Sequence, residues 1–162
     1  MGFNANPPAA AVKQITAAIE YLRQGRHAEA FLLLSEPGAE AEGAARFALG
    51  LCHLRAAELE AALSCFEQAL NLFRVMPSKP PPRTETSGTY LKLAVKQVTD
   101  KTYLSPMDPD FCTSFPKAAE QAALLALVDS YRQNGMMDKA RRLSAGLTGP
   151  VFENFKKELL EN

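Results

Sequence analysis

An all-α fold is what this sequence predicts. Apolar side chains recur at three- and four-residue steps over most of the chain, the period of one helical face. The segments that carry them are rich in alanine and stop at glycine or proline. Two of the glycine stops and the turn at Ala57 recur in matching surroundings, the mark of a repeated unit.

The first periodic segment runs from Ala9 to Gln24 and repeats Val12, Ile15, Ile19 and Leu22 before Gly25 stops it. His27 to Ser35 continues with Ala28, Ala30, Phe31 and Leu34 up to Pro37-Gly38, so the two read as a helical hairpin with a very tight turn. A second hairpin follows. Ala44 to Arg55 carries Phe47, Leu49, Leu51 and Leu54; after Ala56-Ala57, the run Glu58 to Phe73 carries Leu59, Ala62, Leu63, Phe66 and Leu70.

Residues 77–116 differ in kind. Pro77, Pro80, Pro81 and Pro82 cluster at the start and Pro106, Pro109 and Pro116 follow, so this segment is expected to be an irregular insertion. Within it, Thr89 to Asp100 places Leu91, Ala94, Val95 and Val98 on one helical face, with Ser87 or Thr89 as cap, although its β-branched content also suits a strand. Lys117 to Asn134 is again a periodic helix, opened by Pro116 and closed by Gly135. Met136 to Ala145 is its partner arm. Pro150 opens a last, capping helix over 150–161, with Val151, Phe152, Phe155 and Leu159 on one side.

Aligning Gly25, Ala57 and Gly135 brings Tyr21, His53 and Tyr131 together in the first arms and Ala30, Ala62 and Ala140 together in the second. Two arms that cross closely need a methyl-sized residue at the contact, while a planar ring packs into the neighbouring hairpin. This pattern resembles the tetratricopeptide repeat (TPR), most clearly in Ala48-Leu49-Gly50-Leu51 through Ala62, Phe66 and Ala69. The matching repeats span approximately 11–40, 43–76 and 121–148. The first has Leu34 and Pro37 where the family has an aromatic and a small residue, and the third has Val128 and Ser144 at two signature sites. Ala30 and Ala62 stand 32 positions apart, near the ~34-residue period, whereas Ala62 and Ala140 stand 78 apart. The gap leaves room for a degenerate repeat using Leu91 to Val98. The resemblance implies a single domain, an α-α superhelix of about three TPR-like hairpins with the insertion and the capping helix added.

In this family the first arms line a concave groove. The resemblance therefore implies that Val12, Ile15, Ile19 and Leu22, then Phe47, Leu51 and Leu54, then Leu125, Asp129 and Arg132 face a partner. Family members that grip acidic C-terminal tails use Lys, Arg and Asn there, and isoleucine and leucine cannot pair a carboxylate. An apolar groove suits instead a peptide or an amphipathic helix, in an adaptor, scaffold or chaperone. If that groove is open, Leu51→Asp leaves the fold intact and abolishes capture; unfolding instead marks the position as internal. Two other occupants are open: the insertion itself, through Leu91, Val95, Tyr103, Leu104, Phe111 and Phe115, or a second copy in a homodimer. Length is also similar to the three-repeat chaperones of type III secretion translocators, which lack such a proline-rich excursion.

Lys plus Arg and Asp plus Glu both total 18, so no net field favours nucleic acid or an anionic membrane. Neither a signal peptide nor an apolar run of ~20 residues is read, and Asn6 stands where a myristoylation motif wants Ser or Thr. Cys52, Cys65 and Cys112 make an odd count without framework spacing, which points to reduced thiols in the cytoplasm. His27 and His53 are too few for a histidine metal cluster, Cys52 and His53 fall on different helical faces, and Glu58/Glu60 and Glu40/Glu42 diverge at two-residue spacing. Lys139-Ala140-Arg141-Arg142 reads as exposed helix surface. No metal, cofactor or catalytic group is therefore expected, the alternative being an enzyme whose site is assembled from long-range contacts.

Overall fold

The computed structural model describes residues 9–77 and 87–161, and those residues are all-helical, with no strand among them. The helices are α1 (Ala9–Arg23), α2 (His27–Leu34), α3 (Gly43–Arg55), α4 (Leu59–Arg74), α5 (Gly88–Thr99), α6 (Pro109–Ser114), α7 (Pro116–Gln133), α8 (Met137–Ser144) and α9 (Glu153–Glu161). Short 3-10 turns occupy Thr102–Leu104 and Pro150–Phe152. The readings made for Met1 to Pro8 and for Pro80, Pro81 and Pro82 fall outside the described residues.

Three helix pairs form hairpins, α1 with α2, α3 with α4 and α7 with α8. Their turns share one geometry. Gly25, Ala57 and Gly135 have φ of 77°, 60° and 73°, the left-handed conformation that ends a helix in a Schellman turn. The N–H groups of Arg26, Glu58 and Met136 reach back to the carbonyls of Tyr21, His53 and Tyr131 at 2.8, 2.9 and 2.9 Å. Ala30, Ala62 and Ala140, one turn into each second arm, are completely buried. Ala57 bears a Cβ in a conformation that costs an L-residue about 1 kcal/mol, against about 0.4–1 kcal/mol for the extra freedom of glycine in the unfolded chain. Ala57→Gly is therefore expected to stabilise by about 0.5 kcal/mol, read from the denaturant midpoint, and a lower midpoint would contradict the strain argument.

The central hairpin closes through two glycine-aromatic contacts. Gly43 and Gly50 lie one heptad apart on α3 and meet Phe73 and Phe66, one heptad apart on α4; a Cβ at either glycine would come within 2.5 or 2.6 Å of a ring carbon. Phe66 also meets Phe47 with ring centroids 5.3 Å apart. The rings of the turn residues link hairpins as well. His53 meets the edge of Phe31 on α2 at 5.6 Å, and the Tyr131 hydroxyl donates to Glu67 on α4. Tyr21, with no preceding hairpin among the described residues, is stacked by Arg26 at 4.3 Å.

The hairpins pack in series, α2 against α3 and α4 against α7, so the chain leaves the stack after α4 and returns beside it at α7. The excursion is more ordered than its prolines suggest. Ser87 Oγ accepts the Tyr90 N–H at 3.1 Å and caps α5. Pro109 and Pro116 each open a helix, where the missing N–H costs nothing; Pro116 does so as the sequence predicts, and Pro109, which reads as a breaker, does so too. Neither α5 nor α6 completes a fourth hairpin; α5 packs chiefly on the two 3-10 turns.

Candidate functional site

The insertion lies across the first arms. Helix α6 touches α1, α3 and α7, and the turn Thr102–Leu104 also rests on α7. Tyr103, Met107 and Cys112 thereby join the same buried cluster as Ile19, Phe47, Leu51 and Leu125. Arg23 on α1 holds Asp108 at 2.6 Å, just before α6.

This placement decides what the ten residues expected to face a partner can do. Ile15, Ile19 and Phe47 are completely buried, and Leu22, Leu51 and Leu125 nearly so, as core of the stack or under the insertion. Val12 and Leu54 are half-buried at the ends of that face. Asp129 is 1% exposed and accepts from Lys101 Nζ at 3.1 Å and Gln133 Nε2 at 2.9 Å; Arg132 is half-buried between Asp129 and Glu158. An open first-arm trough is thus replaced by packed interior, because the insertion supplies apolar side chains to cover it.

The open apolar surface has moved to the other side of the insertion. A cleft of about 1090 Å³ runs between α5 on one side and α6 with the first half of α7 on the other, closed at one end by residues 148–152. Leu91, Ala94 and Val98 of α5 look across it toward Phe111, Phe115, Ala118, Ala122 and Leu125. Phe111 and Phe115 stack at 5.4 Å and keep 39% and 48% of their surface exposed, an unusual state for two adjacent phenyl rings. No residue of α5 is buried, although its apolar residues share one face. Of the ten expected residues, Leu125 lines this cleft. The rest of its wall comes from the insertion, α7, residues 148–152 and Arg23, and the insertion's apolar residues read in the sequence as a cover for the first arms and not as a second surface.

Burial, then the charges of Glu42 and Asp108, pushes the Cys112 thiol up to about 12, and burial pushes Cys52 up to about 11, so both are thiols and not thiolates at neutral pH. Tyr103 is 7% exposed, and burial together with the Asp129 carboxylate raises its hydroxyl far above the usual range. Its hydroxyl and Asp129 Oδ1 are buried without a hydrogen-bond partner among the described residues. Among those residues no group of three or more His, Cys, Asp or Glu is placed to hold a metal ion, and no helix is long and apolar enough to cross a membrane.

Comparison with family models, with curated proteins and with solved structures gave no match.

Proposed function

We propose that this chain is a protein-interaction module of TPR-like architecture that takes an apolar peptide segment or an amphipathic helix, and that the cleft between α5 and the α6–α7 corner is where it binds. The observation that carries the proposal is the exposure of Phe111 and Phe115 in an open cleft whose facing walls are both apolar. Such a surface gains about 25 cal/mol per Å² when covered, before the costs of ordering the partner. Three equivalent Schellman turns and three buried alanines at one register support the repeat architecture.

The test is selection of binders from a helical-peptide library on the full chain, followed by titration calorimetry. Phe115→Asp is the informative variant, because residue 115 is the N-cap of α7, where Asp is favourable, so the fold is retained. Affinity is expected to fall at least about tenfold in Phe115→Asp and to be unchanged in Leu32→Asp, an exposed position on α2. Selected peptides that bind Phe115→Asp as tightly as the parent would remove the cleft as the site.

A further inference from the structure

We propose that Lys101 and Asp129 form a latch that fastens the C-terminal end of α5 to the stack, with Lys101 as the pivot from which α5 swings, so that this ion pair sets the width of the cleft. Four observations meet at this point. Helix α5 has no buried residue and packs chiefly on two short turns, so little else holds it down. Lys101, directly after it, has φ of 55°, the left-handed conformation of a residue that ends a helix, and turns the chain toward α7. Its ammonium reaches Asp129 Oδ2 at 3.1 Å, and that carboxylate is 1% exposed while Lys101 is about half exposed. Two residues on, Tyr103 is buried with its hydroxyl unpartnered among the described residues, so on this inner edge Lys101 makes the insertion's only ion pair to α7 that lies within that set.

The energetics favour a switch over a passive contact. A buried carboxylate that loses its cation is strongly disfavoured, whereas a pair removed on both sides costs little. Gln133 Nε2, at 2.9 Å, and Arg132 Nε, 3.9 Å from Oδ1, remain near Asp129 without Lys101. Both belong to α7 and hold nothing of the insertion. Loss of the Lys101 charge therefore frees α5 and residues 100–102, while buried Tyr103 and Met107 and the Arg23–Asp108 pair keep the rest of the insertion seated and the hairpins stay packed. The proposal concerns the free protein, so it is read without a partner and its failure leaves the binding reading intact.

Hydrogen exchange on the full chain, followed by mass spectrometry, tests it. In Lys101→Met, amides within residues 87–102 are expected to exchange about tenfold faster, with α1 to α4, α6 and α8 unchanged. Lys101→Arg keeps the charge and is expected to retain protection. Lys101→Asn tolerates the left-handed backbone but cannot span to Asp129, so it is expected to behave as Lys101→Met does. The Lys101→Met/Asp129→Ala pair is expected to exchange no faster in this segment than the more affected single variant. Unchanged exchange in Lys101→Met, protection retained in Lys101→Asn, additive effects in the pair, or a uniform loss across all helices would each overturn the latch.

Discussion

Phe66→Ala is expected to lower the stability of the fold by about 3–5 kcal/mol, a fall in melting temperature on the order of 10 °C. Phe66 is completely buried, its ring lies flush on Gly50, and Phe47 packs against it. Neither contact can follow a shrinking side chain, because Gly50 has no atoms to extend and Phe47 is itself fixed in the core. A reciprocal experiment distinguishes this geometry from generic burial. Gly50→Ala alone drives a Cβ to 2.6 Å from the Phe66 ring and is expected to destabilise, although alanine is the better helix former by about 1 kcal/mol. In the Phe66→Ala background the obstruction is gone, so the same substitution is expected to be neutral or favourable. Equal effects of Gly50→Ala in both backgrounds would show that the two residues do not touch.

Leu51→Asp is expected to unfold much of the population. The side chain is 7% exposed within the cluster that includes Phe47 and Cys112, so the substitution removes packing and buries a carboxylate without a designed partner, together more than about 4 kcal/mol. Whole domains have only about 5–15 kcal/mol to lose. The pH dependence separates the two causes. Burial raises the folded-state pKa of the new carboxyl, so its penalty is present at neutral pH and shrinks as pH falls toward the unfolded value of about 4; the packing loss, seen alone in Leu51→Ala, does not change. A melting curve unaltered by Leu51→Asp would place the side chain in solvent and restore an open first-arm trough.

Much of the helical framework was legible from periodicity and punctuation, and the reasons are local. Gly25, Ala57 and Gly135 aligned because a Schellman turn needs a left-handed residue at one position, and the ring and alanine equivalences follow from that register. Ala57 was the informative case: a non-glycine at that position is visible only by alignment with its glycine counterparts. The insertion was harder to read. Pro116 is marked as an opener by the periodic run that follows it, whereas Pro109 looks the same in sequence whether it ends a helix or begins one, and only the burial of Cys112, on α6, decides. The candidate site was less legible still. Ile15, Phe47 and Leu125 form an apolar face in any reading, but whether that face meets solvent or another part of the chain depends on where α6 lands. That contact is long in sequence and carries no periodic signature. Phe111 and Phe115 were recognisable as apolar residues in need of cover, and their exposure appears once the fold has satisfied Cys112 and left them outside.

The adjacency of α4 and α7, separated in sequence by about forty residues, has a kinetic consequence. Each hairpin closes through contacts within one helix pair, whereas seating the third on the second must wait for a large loop to close. Until it does, the inner faces of α3 and α4 stand bare, and the chain is then at its most vulnerable to association with other unfolded chains.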